Sequence, residues 1–542
     1  PHRRRHPRPM LRRSSSGVGI SGLTGFDSGI KKSASLHGIH QFEPLGLRRR
    51  VLSESTPDLR GLPSSSLQPI PELGSSAAAS APPVDNRKSL TLICLLAVID
   101  GMDIQLLPAS FKALEQDLGL RPTNLALLAV CQGYAMCISG PMWGSIADSG
   151  FPRKWLLALG SALWGTLTLL LAVTTDFQMM VVLRTLNGVA LGLLTPVIQS
   201  FIAENSPPSE MGFNFGIIDF CHMAIGQTLA LVAVSAAAGQ QIMGFAGWRV
   251  AFAAVAVMSI VMAVPLVMCI DEQPRPWRPE SISMTSELWK FLSFMRKPTF
   301  LALLAQGIFG TIPTAAMSFT TMYFAYIGVS GSLAGLVTSF KIIGTGIGAV
   351  LGGVIGDAMA VRSPLYGRTL TAQLSVLLSI PTGAAVFLLV PAVADLWPVH
   401  AGLFFLLGLV HWTSTACNRP MLVEIVESDS IGSVVAWQNC VEHMSGFVFG
   451  PLGVALMSEL CFDYVPAKRS AAFMTDWEKA VNATALGQAL AVCTSIPWAL
   501  CFGFYAMLHF TYPAEVIAMS ERAPLVGSSK HQAYEAPSSS GQ

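Results

Sequence analysis

Charge is what this sequence is short of. Asp, Glu, Lys and Arg make up only 12% of its 542 residues, against about 25% in ordinary soluble domains. Hydrophobic residues account for 52%, and the mean hydropathy is +0.53. A soluble chain of this length needs charge to cover its surface, so the surrounding medium is lipid. Chemistry-bearing cysteine patterns are also missing. The ten cysteines form no CxxC and no metal-type Cys/His spacing. Several, such as Cys94, Cys131, Cys221 and Cys493, lie in apolar runs where cysteine is a small hydrophobe. A disulfide framework and a zinc site are thereby excluded, and neither metal nor cofactor is expected. No Gly-rich loop ending in GK[ST] occurs, nor HExxH, nor GxSxG. An ATP-driven pump therefore lacks its phosphate cradle, and the commonest hydrolase chemistries lack their signatures.

The net charge of +2 hides an asymmetry. Residues 1–89 carry 14 Lys/Arg against 6 Asp/Glu, a net +8 that leaves −6 for the rest. A basic tail in front of a nearly uncharged body does not suit a nucleic-acid partner. This segment is rich in Ser, Pro, Gly and Arg and is expected to be disordered. Its Arg- and Ser-rich start leaves two readings open, a transit peptide and a cytosolic tail. The chain opens on Pro1 rather than Met, and the expectation is that it is a piece of a longer one.

From Ser89 onward, apolar runs of about 20 residues or more recur, each long enough to cross roughly 30 Å of hydrocarbon. Twelve spans are expected: 90–110, 124–147, 155–174, 177–203, 214–243, 249–270, 298–327, 331–356, 369–393, 397–424, 431–458 and 484–511. All must be helices, because lipid offers backbone groups no partner. Gly344-x-Gly346-x-Gly348 and Gly352-Gly353 suit close helix contacts. The polar segment 271–297, with an amphipathic piece around Leu288-Trp289-Lys290, divides the spans into two sixes, 90–270 and 298–512. A second disordered tail is expected over 513–542. The fold class is thus an all-α, multi-pass integral membrane protein of twelve helices in two six-helix halves. Which membrane it occupies stays open among the plasma membrane, the endolysosomal or vacuolar system and the plastid envelope.

A turn repeats between these halves. Gly144-Ser-Ile-Ala-Asp148, then Gly150 and Arg153-Lys154, follows span two; Gly353-Val-Ile-Gly-Asp357, then Gly367-Arg368, follows span eight. Parallel six-span repeats around a midplane site are a transporter architecture. These residues resemble the loop 2–3 signature of the major facilitator superfamily, although Ser149 replaces the usual Arg and the second copy carries an insertion. Gly247-Trp248-Arg249 opening span six is another frequent superfamily feature. Arg184-Thr-Leu-Asn187-Gly188, Pro196-Val-Ile-Gln199-Ser200, Gln306-Gly307 with Gly310, Asn418-Arg419-Pro420 with Glu424, and Leu106-Leu107-Pro108 are similar to the Spinster-like branch, especially its plant and algal members. The resemblance covers about 90–512. It implies a major facilitator fold and the export of lysophospholipids or sphingolipid phosphates, in some members by proton coupling. Two charged positions of that branch depart here: Asp100 is followed by Gly101 instead of Arg, and Leu191 stands where a Glu is common.

An ionisable side chain inside a span costs several kcal/mol unless it is paired or wet. Each one is therefore a candidate. Asp100 and Asp103 share a face of span one, as do Arg184 and Asn187 on span four, so a carboxylate–guanidinium pair between the spans is expected. A locked pair without a role in transport is the alternative. Asp219 and His222, three apart on span five, form a second expected pair, with an imidazole that titrates near neutrality. A His simply hydrogen-bonded in a helix contact reads equally well. Lys341 on span eight and Arg419 beside Asn418 on span ten are expected to hold an anionic headgroup. Span eleven presents Gln438 and Glu442 on one face and His443 on the next, and span seven carries Gln306. The repeated turn, with Gly144, Asp148, Arg153, Gly353, Asp357 and Arg368, is expected to act in gating or in bracing helix ends.

The function these residues suggest is secondary transport of an organic solute by alternating access, with an amphipathic or anionic lipid-like molecule and coupling protons as the finer expectation. Small-molecule or lipid substrate, bilayer and protons are the expected partners. A sugar or organic-acid facilitator, a membrane-embedded transferase and a non-transporting sensor are the rivals. Asn482-Ala-Thr484 is a formal glycosylation sequon, expected to stay unmodified because it abuts span twelve. Basic residues precede the first span and follow spans two, six and eight, which places both termini in the cytosol. Cysteines introduced at residues 60 and 530 should therefore be labelled from the same side; labelling from opposite sides would rule out an even number of spans.

Overall fold

The computed structural model describes residues 86–205, 211–270, 272, 284–411, 417–426, 431–466 and 474–522. The chain divides into two units, Pro1–Ala79 and Ser80–Gln542, and every described residue belongs to the second. The expectations for residues 1–85 and 523–542 lie outside the described residues, as does the side chain of Asp148.

Lipid leaves backbone groups only each other, and the apolar runs are helical throughout. Among the described residues, eleven helices are long and apolar enough to cross a membrane. They are Arg87–Leu118, Pro122–Ala147, Arg153–Val173, Phe177–Ile202, Phe213–Ala238, Gly247–Cys269, Pro298–Tyr326, Gly331–Arg362, Gly367–Leu389, Val434–Cys461 and Asp476–Ala518. They are numbered here as spans one to nine, eleven and twelve. The tenth expected span is not one continuous helix. A shorter apolar helix covers Ala394–Leu409, and a second, Arg419–Ile425, begins with Pro420 in its first turn. The break is seen at 410–411, and π-helical residues 417–418 lead directly into Arg419–Ile425.

The termini of the helical body also depart from expectation. Span one takes in the last three or four residues of the expected tail. The last helix runs from Asp476 to Arg522, taking in the first part of the expected tail 513–542. Its start is fixed by a reciprocal cap: the Glu478 amide donates to Thr475 Oγ1 (3.2 Å), and the Thr475 amide donates to Glu478 Oε2 (2.7 Å). Within this helix, Asn482 is wholly buried. It accepts from the Val465 amide and donates to the Val465 carbonyl, each at 2.8 Å, so both polar atoms of the sequon amide are engaged.

Two spans bend where the sequence carries a reason. Span four breaks at Gly192–Leu193, four residues before Pro196, whose missing N–H removes the bond that would have closed that turn. Span five widens into a π-helical turn over Cys221–Gln227. Spans one and five meet there with almost no space between backbones. A Cβ on Gly101 would strike the His222 carbonyl, and one on Gly226 the Val98 carbonyl. Spans eight and ten approach through Gly344, Gly348 and Gly408, whereas Gly346 and Gly353 face open space. The glycine motif thus works at every fourth residue, one helix stripe.

The ends of the bundle differ. The connections 1–2, 5–6, 7–8 and 11–12 lie at one end, called distal here, and the Gly–Asp turns at the other, called proximal. At the distal end a hairpin pairs Gln241–Ile242 with Phe245–Ala246 around Met243 and Gly244, both at positive φ. Behind it, the Trp248 indole donates to Asp117 Oδ2 (2.9 Å), and Arg249 donates to the carbonyls of Ala172 and Thr174. The linker helix Met284–Phe294 is amphipathic as expected: Phe291 and Phe294 are buried, with rings near Phe300 and, for Phe291, Trp437, while Trp289 is exposed.

Gly101→Leu should force spans one and five apart. Overpacking of this kind costs about 1–3 kcal/mol, so the detergent-solubilised variant should melt several degrees lower. Gly346→Ala, with nothing within 4 Å of its Cβ, should leave the melting temperature unchanged or raise it.

Candidate functional site

The polar groups of spans one to four form one continuous chain. Asp103, wholly buried on span one, accepts a hydrogen bond from Thr168 Oγ1 of span three at 3.0 Å. Asn187 of span four donates from Nδ2 to Thr168 Oγ1 (3.0 Å) and to the Trp164 carbonyl (3.3 Å). Gln132 of span two donates from Nε2 to Asn187 Oδ1 at 2.8 Å, and Arg184 Nη2 donates to Gln132 Oε1. The expected direct pair between span one and Arg184 is therefore not formed. Gln132 and Asn187 stand between the two charges, which still act on each other through space. Gly188 is the local cause: it lets span four approach the Gln132 carbonyl so closely that a Cβ would not fit. Arg184 is 1% and Asp103 0% exposed. Asp103 Oδ2, Arg184 Nε and Arg184 Nη1 are buried without a hydrogen-bond partner among the described residues.

Asp100, expected to share Arg184 with Asp103, turns to span five instead. Its Oδ2 lies 3.4 Å from His222 Nε2. His222 thus faces span one rather than bonding Asp219, which is exposed, although Asp219 remains close enough to act on the imidazole electrostatically. Residues three apart on a helix are offset by about 60°, enough for the two aspartates to address different neighbours. The π-helical turn and the Gly101–Gly226 contact bring His222 within reach. One turn further along, Gln105 Nε2 donates to Gln227 Oε1 (3.0 Å).

Across the bundle, Gln438 Nε2 donates to Glu442 Oε1 at 2.7 Å, both residues being buried. The carboxylate packs on Gly307, where a Cβ would collide with it. Buried Gln306 donates to the Leu303 carbonyl (2.8 Å), and its Oε1 faces Cys501 Sγ at 3.8 Å. His443 is exposed, with Nδ1 against the Asn439 carbonyl. Lys341 is half-buried and lies near His411. Asn418 accepts from the Tyr505 hydroxyl at 2.6 Å, and the next residue, Arg419, is exposed. Lys341 sits on span eight, and Arg419 opens the helix Arg419–Ile425, beyond the end of the helix Ala394–Leu409 that approaches span eight.

At the proximal end, Arg368 pairs with Asp357 at 3.2 Å across the turn between spans eight and nine. Gly353 faces open space, and Gly144 lies 3.5 Å from the Pro196 ring by its notional Cβ. Arg153 is wholly buried at the start of span three. Its amide and that of Lys154 donate to the two oxygens of Glu272 at 3.0 and 3.2 Å. A carboxylate beyond span six therefore caps span three, satisfying two orphan amides. Glu272, Gln132 and Thr168 were not singled out from the sequence. Gln132 carried a signal, as an amide in an apolar run; Thr168 carried none, since threonine is common in such helices.

The family model described as "Major Facilitator Superfamily" matches residues 93–451. An "MFS-type efflux pump" of Mycolicibacterium smegmatis is 28% identical over 289 residues, covering 51% of this chain and 63% of that protein. The "Quinolone resistance protein NorA" of Staphylococcus aureus is 29% identical over 116 residues, 21% of this chain and 29% of that protein. The chain thus matches less than two thirds of the length of these curated relatives. Among solved structures, a bacterial homolog to the human lysosomal transporter Spinster, in an inward-facing and unoccupied conformation, aligns with a TM-score of 0.67 at 20% identity, over 79% of this chain and 98% of that one. A D-xylose-proton symporter aligns at 0.55 with 16% identity, over 74% and 96%. At these identities the structural likeness establishes the fold.

Thr168→Val would leave Asp103 Oδ1 without its donor and take from Asn187 the nearer of its two acceptors. A buried acceptor left unsatisfied costs about 1–3 kcal/mol. The variant should therefore unfold at a clearly lower temperature in detergent, and Thr168→Ser, which keeps the hydroxyl, should recover most of the loss.

Proposed function

The chain belongs to the Major Facilitator Superfamily, and on that premise we propose that it moves an organic solute across a membrane by proton-coupled alternating access. One observation carries the reading. A carboxylate and a guanidinium, Asp103 and Arg184, are both wholly buried in the membrane-spanning body, joined by a polar chain through four spans, and each keeps unpartnered atoms. Two opposite charges buried with unpartnered atoms are costly inside a membrane. A group that must gain and lose a proton accounts for that cost.

The chemistry follows from charge. With Asp103 ionised, Thr168 donates to it, and its field stabilises Arg184 across Asn187 and Gln132. With Asp103 protonated, that stabilisation vanishes, and Arg184 is left as an uncompensated cation whose free N–H groups favour an anionic ligand group. Proton binding and anion binding would thus assist one another, a coupling free energy between two sites. The substrate class this supports is an organic anion, with an apolar remainder suited to the aliphatic walls of the bundle. Asp100 with His222 is the reserve pair for proton movement. The transferase reading needed Asp219 and His222 to act together, and His222 faces Asp100 instead. A sugar facilitator finds no specific support in the arrangement of polar groups. The bacterial homolog of a lysosomal transporter and the efflux pump are both transporters, which supports transport as the activity.

Comparison of metabolites and lipids in membranes with and without the protein would identify the substrate. In proteoliposomes with a pH gradient, Asp103→Asn should abolish uphill accumulation and leave exchange of substrate measurable. Arg184→Ala should damage both. Full pH-driven accumulation by both Asp103→Asn and Asp100→Asn would remove span one from the coupling site and overturn the reading.

A further inference from the structure

A hydrogen-bonded joint between the first six spans and the last six lies away from the central site, at the distal end. Glu115 of span one is 1% exposed, a carboxylate in the interior. Three donors reach it. Tyr326, ending span seven, donates to Oε2 at 2.5 Å; Tyr464, in the 11–12 connection, donates to Oε1 at 2.5 Å; Lys112, one turn earlier on span one, lies 3.3 Å from Oε2. The two phenol oxygens are 2.9 Å apart, and the Lys112 ammonium sits over the Tyr326 ring, 3.2 Å from its centroid. The cluster is closed: both carboxylate oxygens, both hydroxyls and the ammonium are engaged with one another.

The surroundings hold it in place. Tyr464 follows Asp463, whose φ of 55° is left-handed, and its amide donates to the Ser458 carbonyl. The next residue, Val465, is clasped from both sides by Asn482. Further ties between the same two groups of spans cluster nearby. Glu459 accepts from the Thr123 amide (2.8 Å) and hydroxyl (3.3 Å), Thr321 donates to the Pro108 carbonyl (2.7 Å), and Phe111 packs on Phe319 with ring centroids 4.8 Å apart. Towards the proximal end the two groups are tied more weakly, by the Cys440 thiol donating to the Cys137 carbonyl at 3.4 Å.

We propose that Glu115, Tyr326, Tyr464 and Lys112 form the latch of a distal gate, which must come apart for the bundle to open at that end. The rocking motion is taken from the alternating-access reading; the latch is what holds one of its two states. The carboxylate makes the latch reversible. When the ends separate, Glu115 and Lys112 become wet, and water replaces the phenol hydroxyls, so each tyrosine contributes only the margin of its bond over hydration. A hydrogen bond to a charged group is worth enough to shift a two-state equilibrium about tenfold. Asn482 is a positioning residue for the latch, fixing the loop that carries Tyr464.

The test reads distance rather than transport, so it can fail without touching the substrate assignment. In the full chain in nanodiscs, spin-labelled unnatural amino acids at positions 121 and 477 report the distal end, and at 151 and 362 the proximal end. Tyr326→Phe with Tyr464→Phe should raise the distal-open population by about tenfold or more, lengthening the 121–477 distance while the 151–362 distance shortens in the same molecules. Tyr464→Phe alone should give a smaller shift in the same direction. If the distal distance is unchanged, or lengthens without proximal closure, the cluster is a local brace and the proposal fails. Should the double variant misfold, Tyr464→Phe and Lys112→Met, each judged by the same pair of distances, decide the matter.

Discussion

Lipid supplies no hydrogen bonds, so each polar atom in this bundle has to be answered by another part of the chain. That constraint organises the structure more than the apolar packing does, because aliphatic side chains are nearly as comfortable against lipid tails as against each other. It accounts for the route from Asp103 through Thr168, Asn187 and Gln132 to Arg184, in which amides and a hydroxyl separate two charges that could have paired directly. It also makes the exceptions informative. The free oxygen of Asp103 and the free nitrogens of Arg184 are among the places where the protein leaves the constraint unmet, and they are the ones that belong to two opposite buried charges at the site proposed for the proton and the solute.

Satisfying such groups across helices needs short reach, and small residues provide it. Gly101 and Gly226 bring spans one and five together where His222 meets Asp100, and Gly188 brings span four to span two where Gln132 enters the polar chain. Gly307 makes the space that the Glu442 carboxylate fills. Each of these glycines has a polar contact within a turn of it. Close backbone approach and polar satisfaction are thus one design in this bundle, and a side chain at any of these positions would disturb both.

The same principle distinguishes the two ends. At the distal end, Glu115 and Glu459 from opposite groups of spans are answered by donors from the other group, so polar satisfaction itself holds the end shut. At the proximal end, Glu272 caps span three from within the first six spans, and Asp357 pairs with Arg368 within the last six. Bonds inside one group stiffen it as a body, while bonds between groups decide which way the bodies lean. Water reaching Glu115 would compete with its donors, whereas the proximal pairs need not break during such a motion.

The sequence alone determined the helical, membrane-spanning nature of this protein, the repeated turn and most of the ionisable residues of the central site. Hydropathy over twenty residues is a local property, and Asp103, Arg184 and Glu442 announce themselves by standing in apolar runs. Span ten escaped because an apolar run looks alike whether or not the helix is broken within it. Partnerships were decided by the tertiary structure. Asp100 and Asp103 read as neighbours of Arg184, yet one faces His222 and the other Thr168, since a 60° offset on span one and a π-helical turn on span five choose between them. Thr168, Glu272, Tyr326 and Tyr464 carry no mark in sequence at all. Hydroxyls and a loop carboxylate are ordinary residues until the crossing of two helices brings a buried charge or an orphan amide within 3 Å, and that distance is set by rotation and tilt summed over the whole bundle.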